Sequence, residues 1–345
     1  QRAQAIKPSP TLAVTARAAA MKAAGHDIIG LGAGEPDFDT PRHIKDAAID
    51  ALNKGYTKYT PVDGIPALKQ AIIKKFAQDN QLSYSLKQVI VSCGGKQGFY
   101  NLAQALLNPG DEAIIPAPYW VSYPDMVLLA DGAPVIVTAT AKQGFKITPQ
   151  QLEAAITDKT RLFVINSPSN PTGVHYTAQE LTALGTVLRK YPNIVVATDD
   201  IYEHLLWEGK PFKNILNVCP DLYERTIILH GVSKSYSMTG WRIGYAAGPE
   251  KLIQAMNNIQ SQSTSNPTSF AQYGAVAALE GDQMFIAEMV SAFQKRHDFV
   301  LESLLKIKGV ECLPAQGTFY IFPNFQGAMD RLGIKNDVEF GEFLI

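Results

Sequence analysis

Short apolar runs alternate along most of the chain with longer segments in which apolar positions recur every three or four residues. Continuous apolar runs of this length are typical of strands that are covered on both faces, as in a mostly parallel sheet. Seven such runs are predicted strands: Val89–Ser92, Glu112–Pro116, Val135–Thr138, Leu162–Asn166, Ile194–Thr198, Thr226–Leu229 and Ile243–Ala246.

Helical periodicity occupies the segments between these runs. In Pro66–Asn80, apolar residues recur at four-residue spacing from Leu68 to Phe76, which predicts a helix with one apolar face. Gln97–Leu107 and Ala178–Lys190 have the same periodicity. The alternation predicts a doubly wound α/β fold, in which a mostly parallel seven-stranded sheet lies between layers of helices.

The pattern changes at about Met284. One long helical segment extends to about Ile307, and short strands are predicted around Val310–Cys312 and Thr318–Pro323. We therefore expect residues 31–283 to form a large domain and residues 284–345 to form a smaller α+β domain, incomplete at its C-terminus. Residues 1–30, with a helix near Val14–Ala24, are expected to pack with the small domain.

Composition excludes several classes of function. The 345 residues are 46% hydrophobic and 18% charged, an ordinary globular balance, and the net charge of −1 gives no electrostatic footprint for nucleic acid or an anionic membrane. Three cysteines without metal-ligand spacing argue against a disulfide framework and for a reducing compartment. No apolar stretch is long enough to cross a bilayer, so a cytoplasmic protein is expected.

The segment from Ser233 to Gly244 carries the strongest chemical signal. Lys234 follows an apolar strand and precedes Arg242 by eight residues. A lysine amine condenses with an aldehyde, and an arginine fork binds phosphate. Pyridoxal 5'-phosphate (PLP) carries both groups. Taken alone, such a pair is more often a solvated lysine and a surface arginine.

Further polar residues follow other predicted strands, at the edge where open α/β sheets bind ligands. Gly94 and Gly95 precede a helix, so their amides suit an anion, although a plain tight turn has the same pattern. Trp120 suits stacking on a planar ring or a place in the core. Asn170, in a turn-rich segment, suits a donor that points into the pocket.

Asp199 ends a buried strand, where a carboxylate is costly unless it is paired. The protonated nitrogen of a pyridinium ring is one such partner. Tyr202, three residues further on, could donate to a phenolate-like oxygen of the same ring. A helix cap would account for the same residues.

Taken together, these features resemble the class I PLP-dependent aminotransferases, in particular the bacterial aspartate aminotransferases. The similar stretches follow the family's order and span nearly the whole chain. They are Lys7–Thr11, Ala33–Phe38, Tyr59, Gly94–Gln97, Pro118–Pro124, Asn166–Gly173, Asp199–Tyr202 and Lys234–Gly244.

The resemblance implies the PLP aminotransferase fold, PLP as the cofactor and no metal. It implies that Lys234 forms the Schiff base and moves the proton between the substrate Cα and the cofactor C4'. Asp199 would keep the pyridine nitrogen protonated. Tyr202 and Asn170 would hydrogen-bond the ring 3'-oxygen.

The resemblance also implies how the rest of the cofactor is held. Trp120 would stack on the ring, while Arg242 and the backbone of Gly95 and Lys96 would hold the phosphate. Tyr59 matches a tyrosine that reaches the phosphate in the neighbouring subunit, which implies a homodimer with shared active sites.

Two positions depart from the family pattern. Gly231 stands where a phosphate-binding serine is common, so either Ser233 substitutes for that serine or the phosphate loses one donor. The family's second substrate arginine lies in a motif beyond Ile345, which is why the small domain is expected to be incomplete.

Substrate-binding residues are likewise implied by the resemblance. Lys96, with Ser9 and Thr11, matches the set that recognises the distal carboxylate of aspartate or glutamate, and Lys7 matches a lysine of relatives that accept prephenate. The implied substrate-binding residues are Gly34, Trp120, Asn170, Lys96, Ser9 and Thr11.

The implied activity is ping-pong transamination between aspartate or glutamate and 2-oxoglutarate or oxaloacetate, in enzyme class 2.6.1. Aromatic or prephenate substrates, or a PLP lyase of the same fold, remain alternatives. A ligand-sensing domain of a transcription regulator is a third, disfavoured because no basic DNA-binding segment is present and the pI is about 6.7.

Overall fold

The computed structural model describes residues 2–6, 10–207 and 212–344. The described residues form nine strands, numbered β1 to β9: Val89–Ser92, Glu112–Ala117, Ala133–Thr138, Thr160–Asn166, Val195–Asp199, Thr226–Gly231, Gly244–Ala247, Glu311–Cys312 and Pro323–Asn324. They also form fourteen helices, numbered α1 to α14: Arg2–Ala5, Pro10–Ala23, Arg42–Asn53, Pro66–Asn80, Gly95–Leu106, Ser122–Leu129, Pro149–Ala155, Ala178–Arg189, Ile215–Val218, Glu250–Ser261, Ser269–Glu280, Met284–Leu305, Gln326–Leu332 and Asp337–Leu344.

Strands β1 to β7 form one sheet in the order β1-β7-β6-β5-β4-β2-β3. The pairs among β2 to β6 are parallel, whereas β7 is antiparallel to both of its neighbours, β1 and β6. The predicted mostly parallel seven-stranded sheet is confirmed, and each predicted strand lies within two residues of an observed one.

Both faces of the sheet are covered, as the continuous apolar runs predicted. In β1, Val89 and Val91 belong to the core cluster with α4 and α8, while Ile90 between them belongs to the cluster with α5 and α10. In β4, Phe163 faces the first cluster and Val164 the second. Because neighbouring residues of a strand point to opposite faces, every residue of such a strand must be apolar.

The reversed direction of β7 determines which residues share an edge. The carboxyl ends of β1, β4, β5 and β6 lie at one edge of the sheet, and the chain enters β7 at that same edge. Ser92 and Gly231, the last residues of β1 and β6, both pair with Gly244, the first residue of β7. Arg242, which precedes β7, therefore lies beside the segments that leave the parallel strands.

The C-terminal region differs in part from its prediction. Helix α12 and the short strand β8 lie where the pattern placed them, whereas the strand expected around Thr318–Pro323 is limited to Pro323–Asn324, which pairs antiparallel with β8. Thr318 has a φ of 71°, its amide donates to the carbonyl of Leu205, and Gly317 forms an isolated bridge with Leu206. Gly317 and Thr318 therefore pack against the turn that follows β5. Among the described helices, none is long and apolar enough to cross a membrane.

Candidate active site

Lys234 lies in the loop after β6 and projects into the pocket at the sheet edge. Its Nζ donates to the carbonyl oxygen of Gly34 at 2.6 Å and lies 5.8 Å from the ring centroid of Phe319. Burial lowers the pKa of Lys234 to about 8, although the carboxylates of Glu35 and Asp199 raise it. Above that pH, most of the side chain is the neutral amine, which is the nucleophilic form.

Asp199 is the last residue of β5, and its carboxylate is held from two sides. The hydroxyl of Tyr123 donates to Oδ2 at 2.5 Å, and the amide of Ile201 donates to Oδ1 at 3.3 Å. Burial raises the pKa of Asp199 to about 6, while the hydrogen bond from Tyr123 lowers it. The carboxylate is therefore largely ionised at neutral pH and suited to a cationic partner.

Asp200, the next residue, points elsewhere. It is buried and accepts hydrogen bonds from Thr198 Oγ1 at 2.6 Å and Asn214 Nδ2 at 3.1 Å. Burial raises the pKa of Asp200 to about 7. Of the two adjacent aspartates, only Asp199 is turned toward Lys234.

Tyr202 and Asn170 are brought together as the sequence predicted. Tyr202 is buried, and its hydroxyl lies 2.9 Å from that of Tyr320. Burial raises the pKa of Tyr202 well above its usual value, while a hydrogen bond with Asn170 lowers it. Tyr320 also abuts Gly34, where an added Cβ would lie 2.7 Å from its Oη. The glycine is therefore needed for this approach.

A guanidinium and a helix N-terminus lie together where α5 begins. Gly94 precedes the helix with a φ of 86°, and an added Cβ would meet the Arg242 guanidinium at 2.3 Å. Gly244 is as confined, since its Cβ would lie 2.3 Å from the amide nitrogen of Gly95. Arg242 donates to the carbonyl of Thr239 at 2.8 Å. The glycines allow a guanidinium and a helix N-terminus to meet, a combination that favours anions.

Lys96, in the first turn of α5, lies beside the ring of Trp120. The exposed Lys96 places its Nζ 5.1 Å from the centroid of the Trp120 ring. Partial desolvation and the positive charge of Arg242 lower the pKa of Lys96. A cation–π contact of this kind stabilises the ammonium by roughly 0.5–1 kcal/mol at an exposed site.

Several other predicted residues are placed less centrally. Ser233 is buried next to Lys234, and Gly231 is confined by the backbone of Gly244, 3.1 Å from its added Cβ. Tyr59 is 91% exposed in the single chain. Of the predicted substrate set, Ser9 and Lys7 lie outside the described residues, and for Thr11 only its place in α2 is described.

Behind the pocket lies a buried group of charges that the sequence did not predict. Lys75 of α4 forms an ion pair with Glu203 and hydrogen-bonds Asn80 at 2.8 Å. The amide of Gly231 donates to Nδ1 of His230, so the ring hydrogen of the neutral His230 is on Nε2. Nε2 of His230 lies 3.1 Å from Oε1 of Glu203. This group anchors the far side of the turn that carries Asp199 and Tyr202.

The same turn brings together three potential metal ligands. Ligand-type atoms of Asp79, Glu203 and His204 lie within 4.8 Å of one another. The Lys75 ammonium lies among them, in contact with both carboxylates. An internal cation thus already neutralises these acids.

The sequence interpretation missed two residues at the centre of the site, Tyr123 and Tyr320. Tyr123 stands three residues after Trp120 within a stretch that was singled out, so its position was a usable signal. Tyr320 gave no local signal, because only the return of the chain after α12 brings it to Tyr202.

Comparisons with known proteins identify the family to which this chain belongs. The family model described as aminotransferase class I and II matches residues 26–342. An aspartate/prephenate aminotransferase of Nitrosomonas europaea is 60% identical over 97% of this chain and 84% of its own length. The crystal structure of the Rhizobium meliloti aspartate aminotransferase is 48% identical, with a TM-score of 0.92 over 95% of this chain and 82% of its own. The Thermus thermophilus aspartate aminotransferase, solved with maleate, is 44% identical, with a TM-score of 0.89 over 93% of this chain and 84% of its own.

Proposed function

This chain belongs to the class I and II aminotransferases, a PLP-dependent family, and we propose that it transfers the amino group of aspartate or glutamate to a 2-oxo acid. One observation carries the proposal: the amine of Lys234 and the carboxylate of Asp199 lie at one edge of the sheet, close enough to shift each other's pKa. Arg242, against the N-terminus of α5, lies at the same sheet edge.

The described residues fit PLP. The Arg242 guanidinium lies against Gly94, directly before the N-terminus of α5, an arrangement that suits a phosphate. Asp199, ionised above about pH 6, suits a pyridinium nitrogen, and Lys234 supplies an amine with a lowered pKa. When bound, PLP would supply an aldehyde that bonds amines and a protonated ring that withdraws electrons from the substrate Cα.

Each of these residues would have a defined role, and Trp120 and Asn170 would contact both the cofactor and the substrate. Lys234 takes and returns the proton at the substrate Cα, while Asp199 holds the proton on the ring nitrogen. Tyr202 and Asn170 would donate to the ring oxygen, and Trp120 would cover one face of the ring. The phosphate would be held by Arg242, Ser233 and the backbone of Gly95 and Lys96, and the substrate by Gly34, Asn170 and Trp120.

Lys96 carries the proposed preference for acidic substrates. Its ammonium lies over Trp120, the residue proposed to cover the ring, so a substrate bound beside Trp120 would meet the positive charge. The relatives named above are aspartate or aspartate/prephenate aminotransferases, and one was solved with maleate, a dicarboxylate. Ser9 and Thr11 would complete the set.

Lys96→Met is expected to lower kcat/KM for aspartate about 30-fold or more, while kcat/KM for phenylalanine changes little. The substitution keeps the length of the side chain but removes the charge that would pair with the distal carboxylate, a loss typical of a desolvated pair. Steady-state kinetics with both amino acids measures the split. An equal decline for both substrates, with weaker PLP binding, would instead assign Lys96 to the phosphate.

A half-reaction screen tests the activity itself. The PLP-loaded protein is mixed with single amino acids, and the spectral change of the cofactor is followed without any oxo acid. Aspartate and glutamate are expected to convert the cofactor fastest. Prephenate is included as an acceptor in the return half-reaction, because the 60% identical relative is named for it. Release of ammonia and an oxo acid, instead of retention of the amino group, would favour a lyase.

We further propose that the protein is a homodimer in which Tyr59 reaches the partner's active site. In the single chain, three apolar or aromatic residues before α4 are almost fully exposed: Ile29 at 83%, Leu31 at 90% and Tyr59 at 91%. Arg242, the proposed phosphate ligand, is exposed as well. Large side chains so exposed favour an interface between proteins.

Mixing Tyr59→Phe chains with Lys234→Ala chains is expected to restore activity above that of either variant alone. Each hybrid dimer would contain one site with both residues intact. Activity at limiting PLP, measured after the chains are unfolded and refolded together, tests the complementation. A fully active monomer in sedimentation, or a mixture no more active than its parts, would rule out shared sites.

The domain division and the location are proposals of the same kind. Residues 1–30, 31–283 and 284–345 would form the N-terminal segment, the large domain and the small domain. A contact of 3.7 Å between Arg17 of α2 and Glu342 of α14 supports packing of the N-terminal segment on the small domain. The three cysteines are free thiols, which supports a reducing compartment such as the cytoplasm.

A further inference from the structure

Tyr123 connects two of the residues proposed to hold the cofactor. It lies in the first turn of α6, 1% exposed, and its hydroxyl donates to Asp199 Oδ2 at 2.5 Å. Its ring meets the ring of Trp120 edge-on, with centroids 5.2 Å apart and planes at 88°. On the other side it packs against Phe99, with centroids 4.9 Å apart.

We propose that Tyr123 is a positioning residue that keeps the Asp199 carboxylate ionised and oriented for the ring nitrogen and supports the ring of Trp120. The inference rests on the proposed function, since it concerns how the cofactor is held. Tyr123 itself lies behind Asp199 and Trp120 and acts through them.

The hydrogen bond matters because the other surroundings of Asp199 favour its neutral form. Desolvation raises its pKa, and the side chains that face it are mostly uncharged or acidic: Tyr202 and Tyr320 are neutral, and Asp200 is a like-charged neighbour. Among the described residues, Lys234 is the cation that lowers the pKa of Asp199, and its amine is also the group that would bond the aldehyde of the cofactor.

Two donors then remain for the carboxylate, namely Tyr123 and the amide of Ile201. The amide is the more distant, at 3.3 Å. Burial raises the pKa of Tyr123 well above its usual value, so it remains a hydrogen-bond donor across the whole working range of pH. A donor that cannot itself ionise is suited to stabilise an adjacent carboxylate.

Tyr123→Phe removes only the hydroxyl and keeps the ring against Phe99 and Trp120. The dissociation constant of PLP is measured by equilibrium dialysis from acidic to neutral pH, in a Lys234→Ala background that removes the covalent bond and its own titration. Affinity depends on ionised Asp199, so it is lost as the pH falls through the pKa of that carboxyl group. Titrations of PLP itself are common to both proteins and cancel in the comparison.

The midpoint of this loss is expected to move upward by about one to two pH units in the Tyr123→Phe protein, the shift expected when a carboxylate loses one good hydrogen bond. The same substitution made in an Asp199→Asn background should leave the pH profile unmoved, because no carboxylate remains to titrate. Tyr123→Leu, which also removes the edge contact to Trp120, should add a loss of affinity that does not depend on pH.

The outcomes separate the two proposals. Suppose that the Lys234→Ala protein binds PLP and that adding Tyr123→Phe leaves the midpoint of the pH profile unchanged. The positioning role would then be overturned and the proposed function retained. An equal loss of affinity at every pH and in both backgrounds would mean that Tyr123 only packs, which also overturns the inference. A wild-type protein that bound no PLP at all would overturn the proposed function itself.

Discussion

Lys234→Ala is expected to lower the rate of transamination by roughly 10³-fold or more while the protein remains folded and still binds PLP. The substitution removes the nucleophile and the group that moves the Cα proton at once, so neither half of the reaction can proceed normally. Arg242, Asp199 and Tyr202 remain in place to hold the cofactor. Single-turnover absorbance with aspartate measures the rate, and dialysis measures retention of PLP.

Two controls make the result specific. Lys142→Ala, at an exposed lysine, should leave the rate unchanged. Borohydride treatment should fix PLP covalently to the wild-type protein but not to the Lys234→Ala protein. A variant that kept its activity within about tenfold of wild type would remove Lys234 from the mechanism.

Lys75→Met is expected to lower the free energy of unfolding by about 3–5 kcal/mol, because it leaves Glu203 charged and buried without its cation. The side chains of Lys75 and Glu203 are only 3% and 2% exposed. Asn80 Nδ2 still donates to Glu203 at 2.8 Å, but a neutral amide replaces little of the ammonium's charge. Urea denaturation of the apo-protein, followed by circular dichroism, measures the change.

A matched surface pair and a double variant identify the cause. Lys54→Met breaks an exposed pair with Asp50 and should change the free energy of unfolding little. The double variant Lys75→Met/Glu203→Gln should be more stable than Lys75→Met, since no unpaired charge remains in the interior. If Lys75→Met cost no more than Lys54→Met, the buried pair would not stabilise the turn that carries Asp199.

Much of the seven-stranded sheet was predictable because it is covered on both sides. Burial on two faces forces continuous apolar runs, and such runs are visible without any knowledge of the fold. Polar residues that directly follow them, such as Asn170, Asp199 and Lys234, could then be assigned to one edge of the sheet. The prediction was wrong for the first part of Thr318–Pro323, where contacts with Leu205 and Leu206, more than a hundred positions away, replace the expected strand and only Pro323–Asn324 remains as one.

The sequence by itself determined the sheet, the edge at which ligands bind and, through the motifs at that edge, the aminotransferase family. Only the tertiary structure decided which of two adjacent aspartates faces the pocket, since Asp199 and Asp200 have the same chemistry and differ only in direction. It also decided that Tyr123 donates to Asp199 from 76 positions away and that Lys75 pairs with Glu203 from 128 positions away. Local periodicity reports which face of an element is buried. The partner that meets a side chain on that face depends on strand order and helix packing, and no local pattern encodes these.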